Sequence, residues 1–214
     1  MRLYDYNASG NCYKVRLLLA FLDRQYERVP IDIFAGDTLT DEYRALNPVR
    51  ETPALELDSG AVIVQSNAIL WYVAEGTPFL PDDPLERAHV AQWLFFEQER
   101  VMSGIGSARF RKLTGRDRLD PRGVAARFAV GEGALEVLQE HLSHRSFLVG
   151  DRLSIADVAV FAYTHVAEDA GYDLTRFPAV SAWLDRVRRE PRFTDDLVTY
   201  PENALPGHGR SIYE

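Results

Sequence analysis

The sequence predicts a mixed α/β unit followed by an all-helical one, and three observations carry that expectation. Strand-like and helix-like stretches alternate only in the first third of the chain. Proline, glycine and aspartate then cluster in Gly76-Thr77-Pro78 and Pro81-Asp82-Asp83-Pro84, which reads as a linker. Beyond this stretch the strand signal vanishes and helical periodicity takes over. The expected divisions are 1–77, a linker over 78–87, and a helical domain over 88–214.

Leu3 to Tyr6 reads as a strand, and Val15, Leu18, Leu19 and Leu22 then form one apolar helix face at i, i+3, i+4, i+7 spacing. Tyr26 to Ile33 reads as a strand that Pro30 confines to an edge or an end. Thr40 to Leu46 is a short helix with Asp41 and Glu42 in its first turn, stopped by Asn47-Pro48. Ala54–Leu57 and Ala61–Val64 flank Asp58-Ser59-Gly60 as a hairpin, and Asn67–Ala74 closes the unit as a helix. In the second unit, Ala88 to about Lys112 forms a long helical stretch. Asp120-Pro121 starts another helix, with Val124, Phe128, Gly131, Leu135, Leu138 and Leu142 on one stripe. Ser154-Ile155-Ala156-Asp157 has the spacing of a capping box. Val180, Trp183, Leu184 and Val187 mark a further amphipathic helix, and Asn203 to Glu214 reads as an irregular strap.

Of the 214 residues, 46% are hydrophobic and 26% charged, enough for a substantial core. A net charge of −8 argues against a nucleic-acid groove, which needs clustered Lys and Arg. The basic run Arg109-Phe110-Arg111-Lys112 reads as a solvated helix end. Cys12, the lone cysteine, excludes an internal disulfide framework, and the five histidines show no metal-ligand spacing. The chain opens directly on strand-like residues, with no leader pattern and no run near the ~20 apolar residues of a membrane span. A cytoplasmic protein is expected.

Three loci offer chemistry. At Val64-Gln65-Ser66-Asn67 a strand ends and a helix opens, so unpaired backbone N–H groups and a partial positive charge would attract a carboxylate. Ser66 or Asn67 can equally serve as a cap, and one residue can do both. Thr52-Pro53 precedes a strand; a cis bond there would turn the Thr52 backbone outward to pair with an extended peptide. At Ser9-Gly10-Asn11-Cys12, the mouth of the first helix, the Ser9 hydroxyl and Asn11 amide could stabilise a thiolate or act as plain caps. Cys12 reads as a small buried residue, and with Ser9 three residues before it no protein dithiol is possible.

Taken in order, these pieces resemble the cytosolic glutathione transferase superfamily, its serine-type bacterial-like members in particular. The resemblance spans almost the whole chain and rests on Ser9-Gly10-Asn11-Cys12, Asn47-Pro48 to Thr52-Pro53, Gln65-Ser66-Asn67-Ala68-Ile69 and Ser154-Ile155-Ala156-Asp157. It implies a thioredoxin-like N-terminal domain plus an all-α helical-bundle C-terminal domain, assembled as a homodimer. Glutathione would be the co-substrate, with no bound cofactor. Thr52 and Pro53 would pair with its cysteinyl part, Gln65 and Ser66 would hold its γ-glutamyl carboxylate, and Ser9 and Asn11 would be the catalytic donors. The loop departs from the family pattern by placing Arg50 at a glycine position and Glu51 at a basic one, so Arg50 would stand in as the cation for the glycyl carboxylate. A small hydrophobic electrophile or a disulfide would lie near Met102, Arg109 and Phe110. The resemblance implies a detoxifying transferase; its rivals are a glutathione-dependent disulfide or peroxide reductase and a non-catalytic interaction module.

Overall fold

A computed structural model of the protein describes residues 1–213, so the last residue of the expected strap, Glu214, lies outside it. The first unit is a four-stranded mixed sheet with strand order β2-β1-β3-β4. β1 (Arg2–Asp5) pairs in parallel with β2 (Glu27–Pro30), Leu3 opposite Arg28. On its other side β1 pairs antiparallel with β3 (Ala54–Glu56), Leu3 opposite Leu55, and β3 pairs antiparallel with β4 (Val62–Val64). Pro30 ends β2 on a sheet edge, where its missing N–H costs no ladder bond. The hairpin turns through Gly60, whose φ of +83° a side chain would resist.

Helix α1 (Gly10–Phe21) crosses between β1 and β2. The periodicity predicts one buried face, but Gly10, Cys12 through Leu19 and Phe21 are all buried. The helix is enclosed because it packs against α3 (Ser66–Ala74) on one side and α7 (Ile155–Thr164) on the other. Its two buried cations are consequently paired. Arg16 bonds Asp5 at 2.6 Å and Asp196 at 2.9 Å, while Lys14 bonds Glu97 at 2.7 Å. Helix α2 (Asp41–Leu46) is capped by Thr40, whose Oγ1 accepts from the Tyr43 N–H at 3.1 Å.

The first long helix of the second unit starts earlier than its periodicity indicates. α4 spans Pro84–Phe96, because Asp83 accepts from the N–H groups of Leu85 and Glu86 and Pro84 occupies the first turn. The helix then widens into a π-helical segment, Glu97–Gly106, before α5 (Ser107–Leu113). That segment packs most extensively against α6 (Pro121–Leu142), and the contact centres on two glycines. A Cβ on Gly104 would lie 2.5 Å from the Gly131 nitrogen, so this crossing needs Gly104 bare, and a Cβ on Gly131 would run into the Tyr172 phenol.

The α7 N-terminus carries the expected capping box. Asp157 is fully buried; its Oδ2 accepts from the Ser154 N–H and hydroxyl at 3.0 Å each. Its Oδ1 accepts from the Leu148 N–H at 2.9 Å and the Trp183 indole at 3.0 Å. Burial nevertheless pushes the Asp157 carboxyl up to about 6. α8 (Ala167–Ala170) and α9 (Pro178–Arg188) complete the bundle. His165 is buried beside Phe161 and Tyr13. Residues 189–213 have no long helix and run back over the first unit. Thr194 accepts from the Tyr13 hydroxyl at 2.7 Å, Asn203 donates to Asp32 at 2.8 Å, and the Arg210 N–H donates to the Phe34 carbonyl at 2.7 Å. No helix among the described residues is long and apolar enough to cross a membrane.

Candidate functional site

Two helix mouths meet where α1 and α3 pack side by side. Ser9 is the N-cap of α1: its backbone is extended, and its Oγ accepts from the Cys12 N–H at 3.3 Å. The same hydroxyl also lies within hydrogen-bonding reach of the Cys12 thiol. Gly10 follows because the Tyr163 ring lies against it, so closely that a Cβ would fall within the ring's van der Waals radius. The α3 mouth is different. Its N-cap, Gln65, makes no side-chain capping bond and holds φ +72°, ψ 116°, outside the regions a non-glycine residue favours. The first N–H groups of α3 are therefore left for another acceptor. Ser66 is buried at this mouth, and its Oγ donates to Asn11 Oδ1 at 3.3 Å, which ties the two helix starts together.

The loop from Asn47 to Pro53 closes one side. Buried Asn47 donates through Nδ2 to the Glu51 carbonyl at 2.7 Å and accepts from the Val49 N–H at 3.1 Å; the Tyr43 hydroxyl also donates to Glu51 O, at 2.9 Å. Arg50 has φ +62°, in the left-handed region that glycine adopts most easily. The Thr52–Pro53 bond is cis, as expected. Cys12 lies behind this loop, fully buried, with the Tyr6 N–H 3.4 Å from its sulfur. Burial, and then the charge of Asp5, push its thiol up to about 12, so Cys12 is inert near neutrality.

The second-substrate residues are only partly brought together. Phe110 joins an aromatic cluster, stacked on Phe34 at 6.3 Å, edge-on to Tyr200 at 5.4 Å and tilted against Tyr213 at 5.3 Å. This cluster adjoins Tyr6, Ala8 and Cys12, so Phe110 reaches the α1 mouth. Arg109 corrects the reading of a solvated helix end. It is 3% exposed, bonds Asp169 at 2.9 Å and lies 5.6 Å from the Tyr200 ring centroid. The helix end is solvated only further along; α5 turns its Arg109 face into the bundle. Met102 packs against the main core, apart from the Phe110 cluster.

Sequence reasoning missed what lies beneath the mouths. The Lys14 ammonium, with no solvent exposure, donates to Asn11 Oδ1 at 2.9 Å and Ser66 Oγ at 3.3 Å while bonding Glu97 Oε2 at 2.7 Å. Asn67 donates through Nδ2 to the same Glu97 oxygen and to the Leu94 carbonyl, each at 3.0 Å. Glu97 is also fully buried. Burial lowers the Lys14 affinity for its proton, and Glu97 opposes that effect. The available signal was a lysine inside the apolar stretch of α1, at i+3 from Asn11 and hence on the same face. No cluster of three or more metal-ligating side chains occurs among the described residues.

Comparison with known proteins agrees with this architecture. Residues 8–75 match the glutathione S-transferase N-terminal domain and residues 122–186 the C-terminal domain of the same family. Maleylacetoacetate isomerase of Mus musculus is 33% identical over 186 residues, 84% of this chain and 83% of its own length. The Pseudomonas aeruginosa protein of that name is 29% identical, covering 90% and 93%. A solved glutathione S-transferase from Pseudomonas fluorescens superposes with a TM-score of 0.89 at 42% identity, over 92% of this chain and 98% of its own. The chain belongs to the cytosolic glutathione transferase superfamily and is an enzyme of that family.

Proposed function

We propose that the protein is a cytosolic glutathione transferase that uses the joined α1 and α3 mouths to bind glutathione and hold its thiol as thiolate. The observation that carries this reading is the uncapped start of α3 beside a buried Ser66 hydroxyl. Ser66, the α3 N–H groups and Gln65 hold the γ-glutamyl carboxylate. The Thr52 backbone beside Pro53 pairs with the cysteinyl unit, and Arg50 faces the glycyl carboxylate. Ser9 and Asn11 donate to the sulfur. A drop of two units in the thiol pKa, about 2.7 kcal/mol, raises the thiolate fraction near neutrality by up to ~100-fold. The thiolate forms a carbon–sulfur bond with a small electrophile seated against Phe110, and the leaving group departs with the bonding electrons.

A second reading is isomerisation of an unsaturated carboxylate, favoured by the relatives named maleylacetoacetate isomerase and by the buried Arg109, whose Nη1 has no hydrogen-bond partner among the described residues. Both readings need the same thiolate. An exposed groove between α4 and α6, from which Phe95 projects 73% exposed, supports a homodimer. Calorimetry with glutathione and turnover with an activated aryl halide test the proposal. Ser9→Ala is expected to lower turnover at least tenfold, about 1.4 kcal/mol, and unchanged turnover would remove Ser9 from the mechanism.

A further inference from the structure

A buried ion pair is an expensive way to hold a fold, because desolvating both charges usually offsets their attraction. The Lys14–Glu97 pair has no solvent contact on either side chain. Its bonds are also oddly distributed. Glu97 Oε2 accepts from Lys14, Asn67 and Gln98, while Oε1, equally buried, has no hydrogen-bond partner among the described residues. Packing alone would be served better by two apolar residues. What the pair does accomplish is orientation. An ammonium can only donate, so the Asn11 atom facing Lys14 must be the oxygen, and the Ser66 hydroxyl donates to that same oxygen. The Asn11 NH2 group is then turned away from the buried cluster.

We propose that Lys14, held by Glu97, is a positioning residue that locks the Asn11 carboxamide with its oxygen inward, so that its NH2 donates to the glutathione sulfur. This deepens the reading of the α1 and α3 mouths as the glutathione site. Without Lys14 the amide can rotate by half a turn and present its oxygen, which repels a thiolate. The proton leaving the thiol goes to bulk water, and the anion that remains is stabilised by Asn11 N–H. The groups facing the ammonium are Glu97 from the long helix, Ser66 and Asn67 from α3, the Tyr163 ring from α7, and Asn11 on α1 itself. Glu97 is the only acid among them, and it is equally shielded from solvent.

The test is an ultraviolet titration of the thiolate of bound glutathione, which needs no knowledge of the electrophile. Lys14→Met alone would strand the Glu97 charge, so the variant is K14M/E97Q. Its bound thiol is expected to titrate about one unit higher than in the parent, a tenfold loss of thiolate near neutrality. Asn11→Ala is expected to give the same shift, and combining all three substitutions to add nothing further, since one route carries both effects. Lys14→Arg, which keeps a donor under Asn11, is expected to retain the parental value. Should K14M/E97Q fail to fold, Asn11→Asp keeps the Lys14 contact but places oxygen on both sides, and must raise the thiol pKa by a similar amount. A parental titration in K14M/E97Q or in Asn11→Asp, or additive shifts, would overturn the inference while leaving the glutathione site intact. A parent that takes up no glutathione would overturn the site itself.

Discussion

The starts of α3 and α7 are both buried, polar and led by serine, yet they are finished in opposite ways. At α7, Asp157 accepts from four donors and the Ile155 N–H donates to the Phe79 carbonyl at 2.9 Å, so protein groups close this start. At α3, the residue preceding the helix is twisted away, makes no cap, and leaves the first N–H groups without a side-chain acceptor. A helix start that satisfies its own donors contributes stability; one that withholds a cap keeps its donors for a ligand. The difference lies in local geometry, not in residue type.

The contrast breaks most sharply at Asp157. Asp157→Ala would leave the Leu148, Ser154 and Trp183 N–H groups unpaired in the core, at about 1–3 kcal/mol each. Urea unfolding should show a loss of about 3 kcal/mol or more, with glutathione affinity of the folded protein nearly unchanged. Affinity falling in step with stability would mean that the two helix starts are one cooperative unit. The sign of the pH effect sharpens this. The folded carboxyl titrates near 6, above its unfolded value of about 3.9, so the folded state holds this proton more tightly. Its stabilising contribution is complete below pH ~4 and is lost as pH rises through ~6. Asp157→Asn, with no proton to bind, should lack that slope.

Ser66→Ala should act the other way round. We expect glutathione binding about tenfold weaker by calorimetry, about 1.4 kcal/mol, with at most ~1 kcal/mol lost from stability. A stability loss larger than the affinity loss would make Ser66 a structural residue like Ser154. The smallest effect is expected at Arg50. Arg50→Gly relieves a left-handed backbone but adds unfolded-state freedom, so stability should stay within about 0.5 kcal/mol. Glutathione affinity should fall about threefold at low salt, about 0.6 kcal/mol, and an unchanged affinity would remove Arg50 from the ligand.

The α7 start was legible in the sequence because a capping box is a local pattern, four residues with their own chemistry. The hairpin at Gly60, the Pro30 edge and the order of elements were legible for the same reason. The start of α4 at Pro84 was hidden, since Pro81-Asp82-Asp83-Pro84 suits a turn as well as a cap. Arg109 and Lys14 were misjudged or missed because each is buried by a partner distant in sequence, Asp169 and Glu97 respectively. A charge inside an apolar helix can be flagged from sequence, but only tertiary packing names its partner. The π-helical widening at Glu97–Gly106, which carries Glu97 at its start, leaves no periodic trace either.

Cys12 offers an experiment that needs no engineering. Its sulfur is fully shielded and its thiol titrates near 12, so an alkylating reagent can reach it only when α1 lifts from its neighbours. Because the chain holds no other cysteine, each added mass counts one opening event. Pulse labelling read by mass spectrometry would therefore report the opening of the first helix, and an S-blocked glutathione analogue at free concentration L, which cannot consume the reagent, should slow labelling by the factor 1 + L/Kd.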